Sequence, residues 1–399
     1  MKTRIIFLLA ALTMSLTACI PTQNSNNSSG NSSEGQTSSS SESQKEPVET
    51  FWSGSYTNPL FVTNASGNYY ANEIADPCVV RGDDGYVYAF ATSGRVLRSE
   101  DGCEWTSYAE NIIPRPSWGD AYAERPIIWA PDVVKIGDKW IYYYSLSAWG
   151  GPCGIGYATA DAIGGPYTDQ GMLFASEEIA SKVGSDKSLG VSNAIDQQVI
   201  IDDDGSVYMV FGSFIGCFLV ELTEDGMGLK NGIPYQREHK VLIAGEMPGG
   251  FDEYHYEGSW IFKKDDFWYY MGSTGSCCNG KTSTYRVMVG KADNIAGPYY
   301  DSEGQRLDEK YESTSGDLVV WSSPENEQTK GPGHNAVIVD DAGDYWWYGH
   351  CYYEYDNFTT RHLAMDKIEW DENDMPYLEE QELSYNEELD GPRWLEVEQ

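Results

Sequence analysis

DPCVVRGDDGYVYAFATS from Asp76, DVVKIGDKWIYYYSLS from Asp132, DQQVIIDDDGSVYMVFGS from Asp196, EGSWIFKKDDFWYYMGS from Glu257 and HNAVIVDDAGDYWWYGH from His334 repeat one pattern along the chain. Each opens on a polar residue, runs through a short apolar strand, turns at a Gly or Asp, and returns through an aromatic strand. The turns at Asp84-Gly85, Gly137-Asp138, Asp204-Gly205, Asp265-Asp266 and Ala342-Gly343 use residues that tolerate positive φ, as hairpins require. DDDG at 202–205 therefore reads as a turn; it lacks the spacing of a calcium-binding EF-hand loop. The head residues lie 56, 64, 61 and 77 positions apart, the length of a four-stranded blade with its connections. ADAIGGPYTD at 160–169 and ADNIAGPYYD at 292–301 agree at seven of ten positions and predict repeated third strands. Short strands without sustained helical periodicity fill the chain from Phe51 to Pro376. The expected fold is all-β, a five-bladed β-propeller.

Working outward, Lys2 and Arg4 precede an apolar run from Ile5 to Leu16, the form of a secretory signal. Leu16-Thr17-Ala18-Cys19 has the form of a bacterial lipobox, which makes Cys19 the expected lipidated N-terminus. Residues 19–50 are rich in Ser and Asn and read as a flexible tether. The expected organisation is a signal peptide at 1–18, the tether at 19–50 and the propeller at 51–399. Such a chain is secreted and lipid-anchored at a bacterial cell surface, touches membrane only through its N-terminal lipid, and is expected to be monomeric.

The 399 residues carry 62 Asp plus Glu against 26 Lys plus Arg, a net charge of −36, which argues against a nucleic-acid partner. Aromatics at 14% exclude a disordered acidic chain. After Cys19, seven cysteines remain, so at least one thiol is free if the others pair within the chain. No doubled CxxC suggests structural zinc. The adjacent Cys277 and Cys278 are expected to be small residues packed at a strand end.

In a propeller the innermost strand of each blade lines the channel, so Asp76, Asp132, Asp196, Glu257 and His334 are expected to converge at one mouth. Carboxylates flanking a sugar are the working parts of most glycoside hydrolases: an acid protonates the leaving oxygen and a base activates water. A third carboxylate nearby raises the acid's pKa by repulsion. A neutral imidazole among them is a possible metal ligand.

Several further pieces carry a family resemblance: Ala75-Asp76-Pro77, Trp129-Ala130-Pro131-Asp132, Ser147-Ala148-Trp149-Gly150, Asn193-Ala194-Ile195-Asp196, Gly212-Ser213-Phe214, Cys277-Cys278-Asn279-Gly280, Ser283-Thr284-Tyr285, Gly297-Pro298-Tyr299 and Gly331-Pro332-Gly333-His334. In this order they resemble glycoside hydrolase family 43, and within it the endo-α-1,5-L-arabinanases. The resemblance implies an inverting enzyme with Asp76 as general base, Glu257 as general acid and Asp196 as the residue that tunes and orients the acid. It implies substrate contacts at Asp76, Gly150, Asn193, Ala194, Ile195, Asp196, Gly212, Ser213 and Phe214, and a calcium ion in the channel with His334 as its protein ligand. The implied substrate is plant cell-wall arabinan or arabino-oligosaccharide. Arabinan is neutral, whereas the galacturonate backbone of pectin would be repelled by this polyanion. The chain departs from the family's usual pattern at Gln197, where Pro is common, and at Gly258-Ser259 after the acid, where Ala-Pro is common. The alternatives are an exo-acting α-L-arabinofuranosidase or β-xylosidase on the same fold, or a surface glycan-binding lipoprotein without turnover.

Overall fold

The computed structural model describes residues 50–70, 72–148, 153–245, 255–309 and 314–395. Cys19 and Gly150 lie outside the described residues, as do the signal and nearly all of the tether.

Five antiparallel sheets follow one another. Blade one comprises Cys78–Arg81, Val87–Ala91, Arg95–Ser99 and Trp105–Ala109, with Val62–Thr63 added in parallel at its outer edge. Blade two comprises Ile127–Ile136, Lys139–Ser147, Gly154–Ala160 and Thr168–Ala175. Blade three has Gln198–Ile201, Val207–Phe211, Cys217–Glu221 and Val241–Ala244, with an eight-residue helix, Gly232–His239, before its last strand. Blade four has Glu257–Lys264, Phe267–Thr274, Arg286–Ala292 and Asp317–Val320. Blade five has three strands, Thr329–Val339, Tyr345–Tyr353 and Arg361–Lys367. Phe51–Tyr56 pairs with Leu389–Leu395, so the two ends of the propeller are hydrogen-bonded together. All five expected hairpin turns join first to second strands, with Gly85, Gly137, Gly205, Asp265 and Gly343 at positive φ. The repeat at 160–169 and 292–301 proves to be mainly the connection from third to fourth strand, because its Gly-Pro steps break the ladder there.

The aromatic strands explain where the core lies. Successive strand residues point to opposite faces, and in a propeller both faces of a blade are covered by neighbours. Tyr142 and Tyr144 thus pack toward blade one with Tyr88, Phe90 and Val133, whereas Tyr143 packs toward blade three with Val199 and Met209. Similar clusters fill the other junctions: Ile200 and Val210 with Ile261 and Tyr270, Phe262 and Met271 with Val337 and Trp347, and Val79 and Ala89 with Trp346 and Tyr348. The apolar core is divided into five layers between blades, which leaves the axis free for polar groups.

At the axis each innermost strand, or the residues leading into it, carries a kink at positive φ: Asp76, Ala130, Asp196, Gly258 and His334, with φ of 55°, 39°, 56°, 56° and 56°. This corrects the expected register. Blade two is headed by Ala130, and Asp132 lies two residues deeper; Glu257 comes one residue before its blade's kink. Asp132 is 3% exposed and does not line the channel mouth. Its Oδ2 accepts from the Val199 amide at 2.8 Å and its Oδ1 from the Cys78 thiol at 3.4 Å, so it clasps blades one, two and three together. Cys78 and Gln198 occupy the same level and accept from the Val133 and Ile261 amides of the following blades. The reason for the correction is physical: Asp132 lies two residues past its blade's kink, where both of its carboxyl oxygens are taken up by groups of the neighbouring blades.

Candidate active site

The left-handed kinks leave five strand-head amides pointing away from their own sheets, and each is satisfied by the neighbouring blade. Ala130 N donates to Thr92 Oγ1 (3.0 Å), Asp196 N to Ser145 Oγ (3.2 Å), His334 N to Ser273 Oγ (2.8 Å) and Asp76 N to His350 Nδ1 (3.1 Å). At blade four the partner changes: Gly258 N donates to Asp196 Oδ2 (3.3 Å), and Ser213 instead donates to Glu257 Oε2 at 2.7 Å. One exchange of hydrogen bonds thus brings Asp196 and Glu257 side by side. Gly258 is needed there, since a Cβ would lie 3.0 Å from His334 Cα.

Asp76, Asp196, Glu257 and His334 line a single cavity of about 270 Å³. Ile195, Ser213 and Phe214 line it as well, whereas Asn193, Ala194 and Gly212 are not among its lining residues. Asn193 Nδ2 donates to Ser213 O (2.6 Å), Ala194 is fully buried, and Gly212 N donates to Ile195 O (2.9 Å). Gln197 is buried and links Ser145 Oγ (2.9 Å) to Ala130 O (2.7 Å), a bridge that proline could not make.

The cavity also contains groups that were not expected. Arg361 places Nη1 3.3 Å from Asp76 Oδ1 and Nε 2.8 Å from Glu73 Oε1. Thr92 donates to Asp76 Oδ2 at 2.6 Å, and Trp129 and Tyr285 add aromatic surface. His350 receives the Asp76 amide and lies nearly parallel to Tyr285, with centroids 5.8 Å apart. Cys277 and Cys278 are not merely packed: they form a disulfide, and both line the cavity. The chain folds this way because Cys278 takes a left-handed backbone (φ 66°), turning its side chain back beside that of Cys277. The other five described cysteines are free and buried.

The three carboxyl groups differ in environment. Burial pushes Asp76 upward, but Arg361 and the Thr92 hydrogen bond outweigh it and hold the carboxyl well below its usual range. His334 and His350 reinforce this only when protonated, and burial holds both below the ordinary histidine range. Glu257 is raised, first by burial and then by the charge of Asp76, against hydrogen bonding from Ser213 and Tyr285. Asp196 is raised further, by burial and by repulsion from Glu257 and Asp76. The outcome is one carboxyl group whose ionised form is favoured beside a pair whose protonated form is favoured.

A family model for the glycosyl hydrolases family 43 matches residues 69–376. The chain belongs to that family. Among family relatives, an extracellular exo-α-(1→5)-L-arabinofuranosidase of Cellvibrio japonicus is 27% identical over 322 residues, spanning 78% of this chain and 88% of that protein. An extracellular endo-α-(1→5)-L-arabinanase of Bacillus subtilis is 29% identical over 249 residues, spanning 61% of this chain and 69% of its own length. The solved family 43 endo-arabinanase of Bacillus licheniformis superposes with a TM-score of 0.63 at 29% identity, covering 77% of this chain and 98% of that one.

Proposed function

We infer that this family 43 glycosidase is an arabinan endo-1,5-α-L-arabinosidase that inverts configuration. The observation that carries the reading is one cavity that holds Asp76, kept low by Arg361 and Thr92 as a base must be, beside the raised Asp196–Glu257 pair that can supply the acid's proton. Asp76, ionised and aligned by Thr92 and Arg361, takes the proton of the water that attacks the anomeric carbon. Glu257, held by Ser213 at Oε2, gives the proton to the departing sugar oxygen. Asp196 shares the pair's charge and keeps that proton bound at neutral pH. Names of endo-acting relatives support internal cleavage, and the Cellvibrio relative keeps exo-cleavage as the second reading. Relatives named extracellular support secretion, and the Cys19 motif extends this to lipid anchoring at the surface. The test is sizing of early products from linear, debranched arabinan. Mixed oligosaccharides support endo cleavage, release of one short product favours the exo reading, and an intact polymer defeats both.

Asp196→Asn is expected to move the basic limb of the pH–rate profile to lower pH. Whichever member of the pair holds the proton, removing one charge lowers the pKa of the remaining acid. A basic limb that stays in place, with activity lost equally at every pH, would limit Asp196 to substrate contact.

Calcium prefers six to eight oxygen ligands. Among the described residues no group of three or more His, Cys, Asp or Glu could hold a metal ion. His334 lines the cavity with Nδ1 3.6 Å from Asp76 Oδ1, and Asp76 is already engaged by Arg361 and Thr92. This donor set fits an ion that keeps its water shell and takes the neutral His334 imidazole, not a cage of protein oxygens. Such an ion would offset the carboxylate charge when bound. Chelation is then expected to lower the melting temperature by roughly 2–6 °C, a shift that His334→Ala removes. Unchanged melting on chelation would leave His334 a hydrogen-bonding role only.

A further inference from the structure

We propose that the Cys277–Cys278 disulfide is a substrate-contacting wall of the cavity, an apolar plate for one face of a sugar ring and a determinant of substrate affinity. The proposal rests on the arabinan-cleaving reading of the site. Three observations carry it.

The first is position. The pair lines the same cavity as Asp76 and Glu257, and Arg361 Nη1, 3.3 Å from Asp76, lies 3.6 Å from Cys278 Sγ. The plate therefore abuts the group that holds the ionised carboxylate. The second is chemistry. Joined sulfurs have no S–H donor and accept hydrogen bonds weakly, yet they are polarisable and apolar, which suits the C–H face of a furanose. Hydroxyl recognition is left to neighbouring charged and polar side chains. The third is rigidity. The loop is pinned on both sides, by Ser276 N to Thr284 Oγ1 and by Asn279 N to Ser283 Oγ, each at 3.0 Å. Between those pins Cys278 adopts the left-handed backbone that non-glycine residues rarely take. Such a conformation persists when its surroundings over-determine it and clusters where ligands are clamped. The five remaining described cysteines are buried, so the pair is the described sulfur chemistry that a reagent in the cavity would meet.

A dithiol reductant opens the plate in a balanced exchange. The S–S bond takes up two electrons and two protons and becomes two thiols, while the dithiol closes to its own disulfide. The separated thiols lose the fixed plate, and the loop between the pins is free to leave its left-handed turn.

The test measures kcat and KM of the full chain on linear α-1,5-arabinopentaose before and after dithiothreitol, and for a Cys277→Ser/Cys278→Ser double variant. Titration of accessible thiols and thermal melting accompany each state. Reduction should expose two thiols and raise KM about tenfold while kcat stays within about twofold, the signature of lost uniform binding. The double variant should show the same raised KM and no response to dithiothreitol. If it fails to fold, reduction of the folded native chain carries the test alone. A KM that ignores the disulfide in an enzyme that cleaves the substrate overturns this inference only. A fall in kcat at constant KM also overturns it, by assigning the pair to support of Arg361. An untreated enzyme that leaves the pentasaccharide intact defeats the proposed function and this inference together.

Discussion

Asp76→Asn and Glu257→Gln are each expected to lower kcat on arabinan by roughly 10²–10⁴-fold, the usual worth of a positioned proton-transfer group, while the protein stays folded. Folding should survive at Asp76 because the backbone amide, not the carboxyl group, completes the ring of interblade hydrogen bonds. Arg361 would keep Glu73 as a counter-charge. The two variants should separate on an aryl arabinofuranoside. A phenolate of low pKa departs without a proton, so Glu257→Gln should recover much of its activity there. Asp76→Asn should not, because water still lacks its base. Equal losses on both substrates would remove the division of roles, and near-native turnover by either variant would remove the mechanism.

Arg361→Met should cost roughly 100-fold in kcat/KM. The guanidinium uses Nη1 on Asp76 and Nε on Glu73, so its loss leaves a buried carboxylate without its main counter-charge and with one fewer positioning contact. The sign with pH follows. Asp76 is held low chiefly by Arg361 against burial, so without it the base protonates at higher pH. The acidic limb should move upward, with the deficit largest in acid and partly recovered toward pH 8. Arg361→Lys keeps the charge but not the two-nitrogen fork and should fall between the two. A uniform deficit with an unmoved acidic limb would mean that Arg361 contacts substrate without governing Asp76.

The blades were legible because strand, turn and aromatic strand recur with their own chemistry, and every expected hairpin turn joins the strands it should. Asp132 misled because Asp-Val-Val reads like Asp-Gln-Gln-Val; what distinguishes blade head from clasp is a backbone kink, and Ala130 carries no side-chain sign of one. Arg361 and His350 were hidden for a different reason. They sit 285 and 274 residues from Asp76 and reach it across the closing junction of the propeller, which no local pattern encodes. Cys277 and Cys278 announced their adjacency, but pairing depended on a left-handed backbone at a residue type that seldom adopts one.

The circle of strand-head amides makes enzymatic competence a report on assembly. Each acidic residue used in the proposed reaction is steadied from the blade before it: Asp196 at its amide by Ser145, Glu257 at its carboxylate by Ser213, and Asp76 at its amide by His350 from the last blade back to the first. An incomplete chain could fold its early sheets and bury much of its apolar surface, yet Asp76 would still lack its partners from the final blade. Hydrolysis should thus emerge late, with the closing contact and not with the growth of β structure. Turnover in a refolding chain would serve as a clock for the moment the circle shuts.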